Sequence, residues 1–297
     1  MERKTAADFD QELLILFDAY VHGDIDRRGF LDRASKFAVG GLSAAMILEA
    51  LNPRFAEAQQ VAKDDGRLVI ESVSYPSPQG YETTRGYLVK PKAATGKLPG
   101  IVVVHENRGL NPHIEDVARR FALENYVVFA PDALAPLGGY PGDEDKARAA
   151  FQTLEQPKTR EDMLAAFRFL KARPECTGKV GVTGFCYGGG IAHMMATRLP
   201  DLAAAVPFYG NNPTPESAGT VKAPLLIHLA EKDERINAAW PAYEAALKAA
   251  GATFTMHMYA GAQHGFHNDS TPRYDPADAK LAQERTIAHF DKYVRGA

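Results

Sequence analysis

Residues 179–192 read Lys179-Val-Gly-Val-Thr-Gly-Phe-Cys-Tyr-Gly-Gly-Gly-Ile-Ala192, and the fold follows from how this stretch changes character along its length. Val180 to Thr183 is a short apolar run of the kind that forms a buried strand. Gly184-Phe185-Cys186-Tyr187-Gly188 follows as a tight turn, and Gly189 to Arg198 reads as a helix. Strand, turn and helix around G-x-C-x-G are the setting of a nucleophile elbow, with Cys where Ser is commoner. Glycines flank the nucleophile because a strained turn brings strand and helix too close for side chains. A thiol at a helix N-terminus is favoured as thiolate by the dipole and the free N–H groups. The competing reading is a structural cysteine buried in a Gly-rich turn. What stands at the other strand ends weighs against that reading.

Working outward, residues 61–297 read as one domain. Leu68 to Tyr75 and Thr84 to Val89 are strand-like and separated by Pro76-Ser77-Pro78-Gln79-Gly80, which predicts an opening antiparallel hairpin. Ile101 to Val104 and Tyr126 to Ala130 are continuous apolar runs, the mark of central strands buried on both faces. Ala203 to Tyr209, Leu225 to Leu229 and Thr253 to Tyr259 complete the strand series. Helical stretches intervene at Ile114 to Glu124, Glu144 to Leu154, Thr159 to Ala172, Ala238 to Ala249 and Ala277 to Val294. This alternation predicts an α/β fold with a mostly parallel, doubly wound sheet flanked by helices.

In such a sheet, reactive groups gather at the carboxyl ends of the strands. Ala230-Glu231-Lys232-Asp233 follows one strand and Gly261-Ala262-Gln263-His264-Gly265-Phe266 follows another. The order Cys186, Asp233, His264 is that of the α/β-hydrolase triad. His264 would take the thiol proton and hand it to the leaving group; Asp233 would fix the imidazole tautomer. Glu231 and Glu234 are rivals for the acid. A third strand end carries His105-Glu106-Asn107-Arg108-Gly109-Leu110-Asn111, whose Asn107 N–H would join that of Tyr187 as an oxyanion hole.

Composition sets the frame for this chemistry. The 297 residues are 45% hydrophobic and 24% charged with net charge −3, which suits a soluble globular protein with a substantial core and gives no pull toward nucleic acid or an anionic membrane surface. Cys176 and Cys186 make neither a disulfide framework nor a zinc ribbon, so no cofactor or metal is expected. Cys176, beside Pro174-Glu175, reads as a non-catalytic loop thiol.

Residues 1–60 read as a helical extension. Asp8 to Val21 is amphipathic, with Phe9, Leu13, Leu16, Phe17 and Tyr20 at helical spacing. Arg27-Arg28-Gly29-Phe30-Leu31, a weakly apolar Phe37 to Leu51 and Ala56-Glu57-Ala58 resemble a twin-arginine export signal, which predicts a periplasmic or secreted protein. The long leading segment, Asp32 and Glu49 depart from that pattern, and the apolar run is too short for stable membrane insertion. The alternative is a retained extension packed on a cytoplasmic enzyme or on a second subunit, in a monomer or small homo-oligomer.

From about residue 65 onward the chain resembles the dienelactone hydrolase family, the carboxymethylenebutenolidases of the α/β-hydrolase fold. Gly184-Phe-Cys-Tyr-Gly-Gly189, the loop His105 to Asn111, Asp233 and His264-Gly-Phe-His267 carry the resemblance. It implies a Cys186-Asp233-His264 triad working through a thioester on an ester or lactone, with Glu106 contacting the resting thiol and helping to activate it. It also implies two arginines for a substrate carboxylate, but this chain has Asn268 and Pro136 at those places. Arg108 and Arg273 are the replacements within reach, and a carboxylated lactone is expected to be a weak substrate. Tyr140, Tyr187, Phe208, Tyr209, Trp240, Phe266 and Tyr274 lie on candidate pocket loops. Rival functions on the same pattern are an acyltransferase or peptidase-like enzyme, a binding protein with an inert Cys186, and a metal hydrolase using His105, His264 and His267.

Overall fold

The computed structural model describes residues 4–38 and 42–296. Its centre is an eight-stranded sheet in the order β1-β2-β4-β3-β5-β6-β7-β8. The strands are β1 (Leu68–Ser77), β2 (Glu82–Pro91), β3 (Leu98–Val104), β4 (Val127–Pro131), β5 (Cys176–Phe185), β6 (Ala204–Phe208), β7 (Leu225–Lys232) and β8 (Phe254–Gln263). β1, β2 and β4 pair antiparallel, and every pair from β4 through β8 is parallel. The expected doubly wound sheet is therefore present, with the predicted hairpin at one edge. Cys176 opens β5 rather than lying in a loop, and it is buried.

Helices cover both faces because the parallel strands are apolar on both. In β3, Val102 and Val104 face one core while Ile101 and Val103 face the other, as a period of two requires. The first core packs α7 (Gln156–Lys171), α8 (Tyr187–Arg198) and α10 (Trp240–Ala249), with Met163, Phe167, Ile191, Met195 and Tyr243 among its members. The second packs α5 (Pro112–Leu123) and α11 (Pro276–Phe290) through Ile114, Val117, Phe121, Ala282 and Phe290. Two further helices, α6 (Glu144–Gln152) and the short α9 (Glu234–Asn237), follow β4 and β7 respectively.

The amino-terminal residues form a helical layer with its own small core. It comprises α1 (Gln11–His22), α2 (Arg27–Ala34), α3 (Ala44–Leu51) and α4 (Phe55–Ala58). Leu13, Leu14, Phe17 and Tyr20 pack on Phe30, Ala34, Ile47, Leu48 and Leu51, all from this layer. The apolar stretch predicted from Phe37 to Leu51 falls partly outside the described residues.

Contacts of this layer with the sheet domain are largely polar. Arg27 pairs with Asp145 at 2.7 Å, Tyr20 also hydrogen-bonds Asp145, and Arg148 donates to the Tyr20 carbonyl at 2.7 Å. Beyond it, the backbone N–H groups of Gln60 and Val61 donate to the buried Asp116 carboxylate at 3.0 and 2.8 Å. The fully buried Arg119 closes that junction by donating to Val61 O and Asp116. Among the described residues, no helix is long and apolar enough to cross a membrane.

Candidate active site

Cys186 occupies the turn between β5 and α8 with φ 55° and ψ −111°. A non-glycine residue held at positive φ stores strain that only a tightly determined surrounding sustains. The neighbouring glycines are part of that surrounding. A Cβ on Gly184 would lie 2.1 Å from Gly188 O, and one on Gly188 would lie 2.2 Å from Val104 O. Any side chain at either place would push strand from helix and move Cys186. The α8 N-terminus thus starts at the thiol, and the Tyr187 N–H is among the helical donors without a partner inside the helix.

Asp233 and His264, the expected acid and base, stand directly after β7 and β8. Asp233 Oδ2 lies 2.5 Å from His264 Nδ1, with both side chains buried. Asp233 also caps α9 by accepting from the Ile236 N–H at 3.4 Å, which fixes its carboxylate. Of its rivals, Glu231 accepts from the Gly261 N–H at 2.7 Å, and Glu234 stands in the first turn of α9. The Asp233 contact keeps the ring proton on Nδ1 and leaves Nε2 as the basic atom. That Nε2 is buried and has no hydrogen-bond partner among the described residues, and a ring nitrogen of His264 lies within 4.8 Å of Cys186 Sγ.

Glu106 is placed differently from what the resemblance implies. Its carboxylate accepts from Asn268 Nδ2 at 2.9 Å, and Asn268 is itself held by Ser270 through Oδ1. The hydrogen-bonding neighbour of Sγ is His22 Nε2, at 3.3 Å, supplied by the last residue of α1. His22 in turn holds Asp18 through Nδ1, 2.8 Å from its carbonyl and 3.3 Å from its carboxylate. Burial opposes a charge on His22, but the facing Cys186 sulfur and Asp18 outweigh it and raise its pKa to about 9. Arg235 Nη2 also approaches His22 Nε2, at 2.9 Å. A single ring nitrogen cannot accept from a guanidinium and donate to a thiolate at once, so these two contacts compete.

The remaining predicted residues separate into three groups. Asn107, Tyr187 and Tyr209 line an open groove of about 330 Å³ at Cys186, together with His22, Asn211 and Arg235. The Tyr209 ring lies 5.0 Å from that of His264. Arg108 and Arg273 border a cavity of only about 40 Å³ on the other side of the thiol, where Phe17, Tyr20 and Val21 fill the space. Both arginines are engaged by the amino-terminal layer. Arg273 donates to Asp18 at 3.0 Å, and Arg108 donates to Val21 O at 3.2 Å and to Asn107 Oδ1 at 2.7 Å.

The third group lies away from the thiol. Trp240 is buried in the core against Tyr243 and Phe254, and Phe266 against Tyr259 and Tyr209. Tyr140 donates to Glu144 at 2.8 Å and borders a separate depression beside Arg85 and Asp132. The structure therefore puts these three aromatics in packing roles rather than on the walls beside Cys186.

The histidines of the metal-hydrolase reading are also dispersed. His105 Nε2 accepts from the Ala133 N–H at 3.1 Å, and burial holds its pKa down. His267 stacks on Phe185 and contacts Gln283, and burial pushes its pKa down to about 3. Sequence reasoning missed Asp18, His22 and Arg235. The only trace of the first two is an i, i+4 spacing that puts Asp18 and His22 on one face of α1.

Comparison with known proteins agrees with this architecture. The sequence pattern of the dienelactone hydrolase family matches residues 84–294, and a YqhI-like pattern matches residues 1–39. A hydrolase fragment of Escherichia coli, YghX, is 51% identical over 114 residues, which are 38% of this chain and 97% of that protein. A Salmonella typhi protein provisionally named carboxymethylenebutenolidase is 32% identical over 244 residues, covering 77% of this chain and 89% of its own length. The crystal structure of a Klebsiella pneumoniae protein provisionally named dienelactone hydrolase superposes with a TM-score of 0.67 at 28% identity. That match spans 76% of this chain and all of the other.

Proposed function

The chain belongs to the dienelactone hydrolase family, and from that premise we propose that it hydrolyses small carboxylic esters or lactones through Cys186, His264 and Asp233. The observation that carries the reading is the convergence of three strand ends on one point. The strained Cys186, the His264 Nε2 that has no hydrogen-bond partner among the described residues, and the Asp233–His264 contact of 2.5 Å meet there.

His264 Nε2 takes the Sγ proton as the thiolate attacks the carbonyl carbon. The oxyanion forms beside the N–H groups of Tyr187 and Asn107, which stabilise the charge that develops. Collapse of the intermediate breaks the carbon–oxygen bond, and His264 passes its proton to the departing alkoxide. A thioester on Cys186 remains. Water, deprotonated by the same Nε2, attacks that thioester; the acid leaves and Sγ recovers its resting form. Asp233 stays ionised throughout and holds the imidazolium. The groove of about 330 Å³ beside Sγ is at the lower end of the range for small-molecule sites and suits a compact acyl group.

The experiment is a panel of aryl esters and lactones with purified enzyme and its Cys186→Ala variant. Turnover by the parent, lost in the variant, is the expected result. Turnover that survives Cys186→Ala would overturn the assignment.

A further inference from the structure

The geometry points to a second property of the same place: Cys186, His22 and His264 form a binding site for a soft divalent cation such as Zn²⁺, which silences the nucleophile and pins α1 over it. The inference rests on the proposed catalytic reading for two of the three ligands. The third, His22, is foreign to that chemistry.

Cys186 Sγ and one ring nitrogen each of His22 and His264 lie within 4.8 Å of one another. Tetrahedral zinc holds sulfur at about 2.3 Å and imidazole nitrogen at about 2.0–2.1 Å, which sets donors roughly 3.3–3.6 Å apart. The Sγ to His22 Nε2 distance, 3.3 Å, already meets this, and the remaining closure is on the order of an ångström.

Both imidazoles are backed in the manner of metal ligands. His264 Nδ1 faces Asp233 at 2.5 Å, and His22 Nδ1 faces the carbonyl and carboxylate of Asp18 at 2.8 and 3.3 Å. Such partners hold the ring proton on Nδ1, aim Nε2 at the metal and raise its basicity. An independent sign is His264 Nε2 itself, on a side chain only 5% exposed and without a hydrogen-bond partner among the described residues. Thiolate with two imidazoles is a donor set that suits zinc, and the groove leaves a fourth position open.

One contact opposes the cation. Arg235 Nη2 sits 2.9 Å from His22 Nε2, where it occupies the lone pair and adds a positive charge. Its side chain is 36% exposed and its Nε lies 3.8 Å from Asp18 Oδ2, so it can turn toward that carboxylate and leave the nitrogen free. On binding, the cation displaces the one proton held between Cys186 Sγ and His22 Nε2, which goes to solvent, and both atoms take a metal bond in its place. The cation also takes the His264 lone pair, so nucleophile and base are lost together. Because His22 belongs to α1, the three-ligand site exists only while the amino-terminal layer is in place.

The test uses the full chain, stripped with chelator and kept reduced. One equivalent of Co²⁺ should give a near-ultraviolet thiolate-to-cobalt band with intense visible bands of tetrahedral geometry, and Zn²⁺ should abolish them. Zn²⁺ should inhibit ester hydrolysis, and chelator should restore it. His22→Ala should bind Zn²⁺ more weakly than the parent by at least the roughly 10- to 100-fold that loss of an outer partner costs. Arg235→Ala should bind Zn²⁺ more tightly. Absence of the thiolate band in the parent, or equal Zn²⁺ affinity in parent and His22→Ala, would overturn the inference. Neither result touches the proposed hydrolysis, which stands or falls on metal-free Cys186→Ala. Should His22→Ala unfold, His22→Gln and the parent's cobalt spectrum decide the matter.

Discussion

Two cysteines of the same chain sit in opposite surroundings, and that contrast gives the sharpest expectations for single residues. Cys186 is held at positive φ beside a buried imidazole, whereas Cys176 packs at the start of β5 and burial pushes its thiol pKa up. Cys186→Ala should lower kcat on an aryl ester by at least about 10³-fold while the thermal unfolding midpoint holds, and Cys176→Ala should leave kcat unchanged. Arg108 and Arg273 give a second expectation. Each is committed to the amino-terminal layer, through Val21 O and Asp18 respectively. Their alanine variants should therefore loosen that layer without changing the kcat/KM ratio between a carboxylated lactone and its methyl ester. The candidates Cys186, Asp233 and His264 were legible because each directly follows a strand, a local pattern. Glu106 shows where that reading ends. Its partner, Asn268, is 162 residues away, and nothing in the loop around Glu106 says that it binds an amide rather than the thiol.

Among the elements, the parallel strands were plain in the sequence because burial on both faces demands unbroken apolar runs. The position of α1 was not. Its amphipathic pattern announces a helix with one buried side, but that side packs on α2 and α3 and leaves the seating over Cys186 to polar contacts. Phe17 lies in that small core at 3% exposure. Phe17→Ala should destabilise the layer by about 3–5 kcal/mol. The expected sign is faster hydrogen exchange in α1 with protection unchanged in β3 and β5. The loop after β8 offers a pH test. His113 Nδ1, Arg120 and Gln60 hold the Asp269 carboxylate at 3.0, 2.6 and 2.7 Å. Burial would raise its pKa, but these partners outweigh burial and hold it well below the usual carboxylate range. A carboxyl whose folded pKa is depressed stabilises the protein above its unfolded value of about 3.9 and loses that contribution as the pH falls below it. The Tm gap between parent and Asp269→Asn should therefore be full at neutral pH and shrink as the solution is acidified past that value.

Over the whole molecule, the sheet domain and the amino-terminal layer meet at Cys186, and the two were legible to very different degrees. Family-wide motifs in residues 84–294 spoke for the domain. The layer speaks in weak signals that fit two histories. Arg27-Arg28-Gly29-Phe30-Leu31 reads as an export motif, yet Arg27 pairs with Asp145 and Phe30 is fully buried. We propose export of the folded precursor, which requires that α1 to α4 lift from the domain before the motif is read. Arg27→Lys combined with Arg28→Lys should trap the chain in the cytoplasm, and equal periplasmic recovery of variant and parent would contradict export. The hydrolytic reading itself depends on one covalent bond. Rapid acid quench during turnover of an aryl ester, followed by mass analysis of the proteolysed chain, tests it most directly. The account predicts the acyl mass as a thioester on the peptide that contains Cys186, and its accumulation in a slowed Asp233→Asn variant. Acyl mass on another residue, or rapid turnover with no acylated peptide and undiminished rate in Cys186→Ala, would contradict it.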